Sequence, residues 1–185
     1  MAIIGESPID AGEPDNVLQS FSDATAGRSL QLYHCVGTID SVGTDYVLVR
    51  DSGTSSPTQT AGNFDIDFDI TINKPTIVAG IATIDVNFKH MDTSGGDNAL
   101  IVFTLRKFDG ATETDIGTVT TQAVLESAST TSDKLQFVVT RTKLNIGDTL
   151  RLTADAGGSD NRVRLFHDPG TAGNELKLWV PLVVS

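Results

Sequence analysis

Asp65, Asp67 and Asp69 recur at every second position of the segment Asn63–Ile72, with Phe64, Ile66, Phe68, Ile70 and Ile72 in the gaps. A side-chain period of two belongs to an extended strand, so the carboxylates share one face and the apolar groups the other. At strand rise, neighbouring carboxylates on that face stand roughly 6.5–7 Å apart. Such a row could bind a cation, act as catalytic acids, meet a basic partner or face water. A calcium site needs about six to eight oxygens converging at roughly 2.3–2.6 Å. Carboxylates along a straight strand diverge, so at most two could join ligands from a neighbouring loop, with Asp92 and Asp97 as candidates. Glycoside hydrolysis needs two carboxyl groups roughly 5–9 Å apart, which strand neighbours could meet. It also needs a cleft lined by stacking aromatics, and the chain has one Trp and two Tyr. The pattern favours an outer strand face turned to water, and after that a face turned to a basic partner.

Other residue types that could do chemistry are scattered. His34, His90 and His167 fall into no metal-binding spacing, and His167-Asp168 lies in the turn "HDPG", where Asp168 is expected to cap. No GxSxG elbow occurs, and neither "SGGD" nor "AGGS" is followed by the lysine of a phosphate loop. Cys35 is the only cysteine, which excludes an intrachain disulfide and a cysteine zinc site; its strand-like neighbours make it a small buried hydrophobe. No catalytic residue, cofactor site or metal ligand is assigned, and the chain is not expected to be an enzyme. Arg162 and Arg164 share one face of a strand; they could pair with the aspartate row or point at another subunit. Trp179 sits opposite the apolar face of the last strand, between Lys177 and Pro181, and reads as an intersubunit contact.

The elements that position these residues are strands. The 185 residues suffice for one domain with a real core, and 39% hydrophobic content excludes wholesale disorder. Candidate strands are Leu30–Val36, Tyr46–Arg50, Phe64–Ile72, Ile77–Phe88, Ala99–Phe108, Thr114–Leu125, Leu135–Arg141, the "TLRLTAD" segment, the Val163–Leu165 segment and the C-terminal "ELKLWVPLVV". Gly80 is a candidate bulge, Asp109-Gly110 a hairpin turn, and "DSGTSSPTQTAGN" a polar loop. Nine or ten short strands, no helix and no fixed-period repeat predict an antiparallel jelly-roll-like β-sandwich over residues 29–185. Residues 1–28 are rich in Gly, Pro, Ser and Asp, and read as an extended N-terminal arm with room for a short helical turn near Val17–Phe21, in which Val17, Leu18 and Phe21 are the contact residues.

Net charge is −11, with 13 basic residues and no basic cluster, which argues against phosphate-driven nucleic-acid binding. The N-terminus lacks the charged-then-apolar order of a secretory signal, and no run reaches the roughly 18 apolar residues of a membrane helix. The expectation is a soluble chain made in a cytoplasm.

The segment "LNIGDTLRLTADAGG…VRLFHDPGTAGNELKLWVPLVV" runs turn, strand, loop, strand, His-Asp-Pro turn, last strand. It resembles the jelly-roll cement, or decoration, proteins of tailed phages and related viruses. "GDTLRLT" is also similar to trimeric jelly rolls of the tumour-necrosis-factor and C1q type. The resemblance implies a homotrimer at local three-fold positions of a virion surface. It also implies residues 1–28 as a clasp on the major capsid protein, and no catalytic residues. Two other functions fit a sandwich: a carbohydrate-binding module or viral fibre head, and a metal-dependent hydrolase centred on Asp65 and Asp67.

Overall fold

Alternating burial builds the strands. In the longest of them Ala82, Ile84, Val86 and Phe88 are buried, while Ile81, Thr83, Asp85, Asn87 and Lys89 point the other way. The computed structural model describes residues 28–39, 44–50, 59–91, 100–122, 129–157, 163–167 and 175–183. These form β1 (Arg28–Ile39), β2 (Thr44–Val49), β3 (Gln59–Gly62), β4 (Asp65–Thr71), β5 (Thr76–His90), β6 (Val102–Phe108), β7 (Glu113–Thr120), β8 (Thr131–Leu144), β9 (Thr149–Asp155), β10 (Val163–Phe166) and β11 (Lys177–Val183).

The strands follow one hydrogen-bonded path, β3-β10-β5-β11-β1-β2-β4-β9-β6-β7, with β8 on the second edge of β5. The path curls into two layers. One holds β8, β5, β11, β1 and β2, with β10 and β3 beside the end of β5. The other holds β4, β9, β6 and β7. The layers join where β2 meets β4, through a single parallel pairing, Val47↔Asp69. At the opposite margin β7 runs alongside β8. There Gly117 leaves room for the Phe137 ring, since a Cβ at Gly117 would stand 2.8 Å from two of its carbons. The fold is an all-β, jelly-roll-like sandwich, as the alternation predicts.

Phe68, Phe88, Phe103, Ile84, Ile101, Leu105, Leu144, Leu150, Leu152 and Leu165 fill the core between the layers. Each such side chain contributes about 1.5–3 kcal/mol by leaving water. Cys35 is fully buried among them as a free thiol. The register of β5 against β8 shifts between Val78 and Gly80, where Gly80 takes φ +128°, the bulge its sequence position suggests. Asp109 closes the β6–β7 hairpin by accepting from the N–H groups of Ala111 and Thr112.

Several strand bounds differ from the sequence reading, β7 ending at Thr120 and β8 running from Thr131 to Leu144 among them, and two features depart further. Gln59–Gly62, within the stretch expected to be loop, forms β3 and pairs with β10. A four-residue edge strand gains its order from that ladder, so it needs no apolar alternation of its own. On the last strand the pairing with β5 shifts between Trp179 and Leu182, so the C-terminal residues do not continue one clean alternation.

Candidate functional site

The outer face of the β4–β9–β6–β7 layer carries the aspartate row, and antiparallel register decides what stands beside it. Asp69 lies opposite Arg151 of β9, Asp67 opposite Thr153 and Asp65 opposite Asp155. On β6, Arg106 is the next neighbour of Arg151 and Thr104 of Thr153. Arg151 grips Asp69 with a two-pronged fork, Nε to Oδ1 at 2.8 Å and Nη2 to Oδ2 at 2.7 Å. Its Nη1 stands 3.0 Å from Asp67 Oδ2 and also pairs with Glu113 of β7. Thr153 donates its hydroxyl to Asp67 Oδ1 at 2.6 Å and accepts from Arg106 Nη1 at 2.9 Å, while Arg106 Nε meets Asp115 at 2.8 Å. Hydrogen bonds to Asp69 above all hold the Arg151 guanidinium in its charged form more firmly than usual. Asp65 has no arginine opposite it. Partial burial, and then the charges of Asp155 and Asp67, push its carboxyl above the usual carboxylate range.

This lattice answers the chemistry that the row suggested. Asp69 and Asp67 face a cross-strand arginine and threonine, and so hold the strands of their own layer together, whereas Asp65 faces Asp155. Among the described residues no group of three His, Cys, Asp or Glu side chains converges as a metal site. Asp92 and Asp97 lie outside the described residues. The arginine that meets the row is Arg151, and Arg106 is linked to it through Thr153. Arg164, which could have paired with the row or pointed at another subunit, sits in β10 between Ala61 of β3 and Lys89 of β5, in the other layer. Sequence adjacency could not choose between them, because the pairing of β4 with β9 joins residues 82 positions apart. The signal was present all the same: Arg151 alternates with Leu150 and Leu152 and so must point outward.

The outer face of the β8–β5–β11–β1 layer has opposite chemistry. Val138 of β8 is 74% exposed, Ile81 of β5 57% and Leu30 of β1 61%. Val138 and Ile81 are register partners, Leu30 pairs with Pro181, and the neighbouring row runs Gln136–Thr83–Trp179–Leu32. Trp179, the intersubunit residue of the sequence reading, therefore stands half-buried inside a stripe that crosses four strands, roughly 14 Å wide at the usual strand spacing. Lys134 Nζ lies 5.6 Å from its ring centroid and 3.4 Å from Asp85. Of the four large apolar side chains exposed among the described residues, only Ile146 is outside this face. Val17, Leu18, Phe21, Arg162 and Asp168 lie outside the described residues.

Two clefts open on the described residues. One of about 390 Å³ is lined by Asp85, Asn87, Ser132, Lys134, Glu175 and Lys177. Four of its charged side chains are paired, Lys134 with Asp85 and Lys177 with Glu175, and Asp133 also lines it. The other, of about 770 Å³, opens where β2 and β4 part. The histidines form no site: His34, His90 and His167 are all buried, and the His167 ring packs edge-on against Tyr46 and Phe68.

No family model matches the chain, and no curated protein matches it. Solved structures share its fold. A CocE/NonD family hydrolase from Staphylococcus aureus superposes with a TM-score of 0.54 at 11% identity, over 82% of this chain and 36% of that one. An aminopeptidase from a marine sediment Thaumarchaeota archaeon gives 0.51 at 8% identity, over 64% of this chain and 26% of that one. The chain thus spans about a third or less of either hydrolase. A carbohydrate-binding module from Cellvibrio mixtus lichenase 5A reaches only 0.29 at 15% identity. At these identities the likeness to the two hydrolases is one of fold alone.

Proposed function

We propose that the protein is a structural virion component, a capsid cement protein that attaches to the major capsid protein and stiffens the shell. The observation that carries this reading is the contrast between the two outer faces. One is closed by its own ion pairs. The other presents Val138, Ile81, Leu30 and Trp179 to solvent. Exposed apolar side chains grouped on one face beside a half-buried aromatic mark a protein contact. Many copies on a symmetric shell act together, so a modest affinity at each contact still staples neighbouring capsomers. The body carries acidic charge on its other face, which limits non-specific adhesion. The resemblance of residues 132–185 to decoration proteins supports the same reading, with a homotrimer as the attached unit. Quantitative mass spectrometry of purified virions tests it: the protein is expected in copy numbers commensurate with the capsid protein, and absence from virions sinks the proposal.

A second reading has one observation in its favour. The smaller cleft sets Asn87, Ser132 and two ion pairs beside Trp179, a mixture of donors, acceptors and aromatic surface that suits a saccharide. Quenching or a shift of the Trp179 emission by oligosaccharides in a glycan panel would favour it over the shell contact.

A further inference from the structure

Register sets Arg164 of β10 opposite Lys89 of β5. Their strand neighbours Val163, Leu165, Phe88 and His90 are buried on the inner side, so both cations stand half-buried on the outer face of the layer. Residues opposed in this way bring their Cβ atoms within about 4.5–5.5 Å, and like charges there repel. Among the described residues neither cation makes an ion pair, and Arg164 Nε is buried with no hydrogen-bond partner. Asp85, four residues back along β5, and Glu175 are already engaged by Lys134 and Lys177.

The other layer shows how this fold opposes two cations when it supplies the counter-charges itself. Arg106 of β6 and Arg151 of β9 are register partners too, and Asp67, Asp69, Glu113 and Asp115 close around them. Arg164 and Lys89 share that cross-strand placement without such acids among the described residues, although the chain has 24 acids to 13 bases. A half-buried guanidinium with a free donor suits a carboxylate, which its planar fork grips through two parallel bonds. The acidic charge of the chain repels nucleic acid and anionic membranes at long range, so a single carboxylate inside a protein contact is the ligand that fits.

The cation pair lies on the face that carries the apolar stripe. Lys89 follows Ile81 by eight residues along β5, about 26 Å at strand rise, and a contact of about 800 Å² is about 32 Å across. One contact can therefore take in both, with the apolar side chains towards its centre and the charges at its rim. We infer that, given the shell reading above, Arg164 and Lys89 form a rim anchor that receives an aspartate or glutamate side chain of the shell protein.

Binding of R164Q/K89Q to capsids stripped of the protein, beside wild type and R141Q/K143Q, tests this. R141Q/K143Q removes the same two charges from exposed positions on β8. R164Q/K89Q should bind at least about tenfold more weakly than wild type and lose most of the salt dependence between about 0.1 and 0.5 M, whereas R141Q/K143Q should stay within about threefold. Native amide shifts across β5 and β9 confirm that each variant is folded. Equal binding by wild type and R164Q/K89Q, or an equal loss in both variants, overturns the inference and leaves the shell reading in place. Wild type that does not bind the shells sinks both. In the free protein, K89Q should leave Tm unchanged or raise it, because it relieves a repulsion. A fall in Tm would show that Lys89 has its counter-charge within its own chain, and that too overturns the inference.

Discussion

Replacing Arg151 by methionine tests whether the charge lattice holds its layer together. The methionine keeps an unbranched stem against Phe108, whose ring centroid lies 5.3 Å from the guanidinium carbon, and removes only the charge and its donors. The magnitude follows from exposure. The Arg151 side chain is 18% exposed and its partners Asp67, Asp69 and Glu113 are 35–36% exposed. Fully exposed ion pairs contribute about 0–1 kcal/mol, and breaking a fully buried pair costs about 3–5 kcal/mol. A forked, two-bond contact at intermediate exposure, with two further acids left facing one another, places the loss near about 2 kcal/mol. For a domain of this length that lowers Tm by about 4–8 °C. Urea unfolding at low and high salt, on R151M, D69N and the double variant, provides the cycle. The coupling between the two sites should be about 1 kcal/mol and shrink with salt. A loss below about 0.5 kcal/mol, or two single losses that simply add, would refute the claim that the fork stabilises the layer.

Three more outcomes follow from the same geometry. Gly117→Ala puts a Cβ 2.8 Å from the Phe137 ring and 3.0 Å from the Val138 carbonyl oxygen, so β7 must move off β8; thermal melts should show a loss of about 1–3 kcal/mol, and a neutral result would deny the close approach. Asp65 has a raised pKa in the folded state, so the fold binds its proton more tightly than the unfolded chain does, and this residue's unfavourable contribution grows as pH rises through the carboxylate range. Asp65→Asn should therefore leave the protein equally or more stable at neutral pH, by no more than about 0.5 kcal/mol, with the gain fading below about pH 4; a gain that grows on acidification contradicts the sign. Burial pushes the Cys35 thiol well above its ordinary value, so Ellman's reagent should modify it only at the rate of unfolding, and rapid labelling of the native protein would contradict its packing.

Much of the architecture was legible because alternation is a local signal. Phe64 to Ile72 announces an outer strand, and the buried Phe68 and half-buried Asp67 and Asp69 sit on the faces that the period of two assigns them. Gly80 and Asp109 likewise declare a bulge and a hairpin from their own chemistry. The site was less legible because it is a property of register. Nothing near Asp69 names Arg151, and the pairing that joins them depends on which strands become neighbours. Strand β3 was missed for a related reason, since its order comes from its partner β10. The apolar outer face was half visible: Trp179 stood out as a large side chain on the wrong side of its strand. Val138 and Ile81 looked like ordinary members of β-rich runs until pairing set them side by side.

The central claim is that the β8–β5–β11–β1 face attaches this protein to a shell. Capsids stripped of the protein should be rebuilt with wild type and with I81E/V138E, two substitutions at exposed positions that leave the core intact. The temperature at which the shells release their genome is the quantity to measure. Wild type should bind to saturation and raise it, and I81E/V138E should remain folded, fail to bind and leave it at the value of bare shells. Equal binding and equal protection by the variant would show that attachment does not use this face.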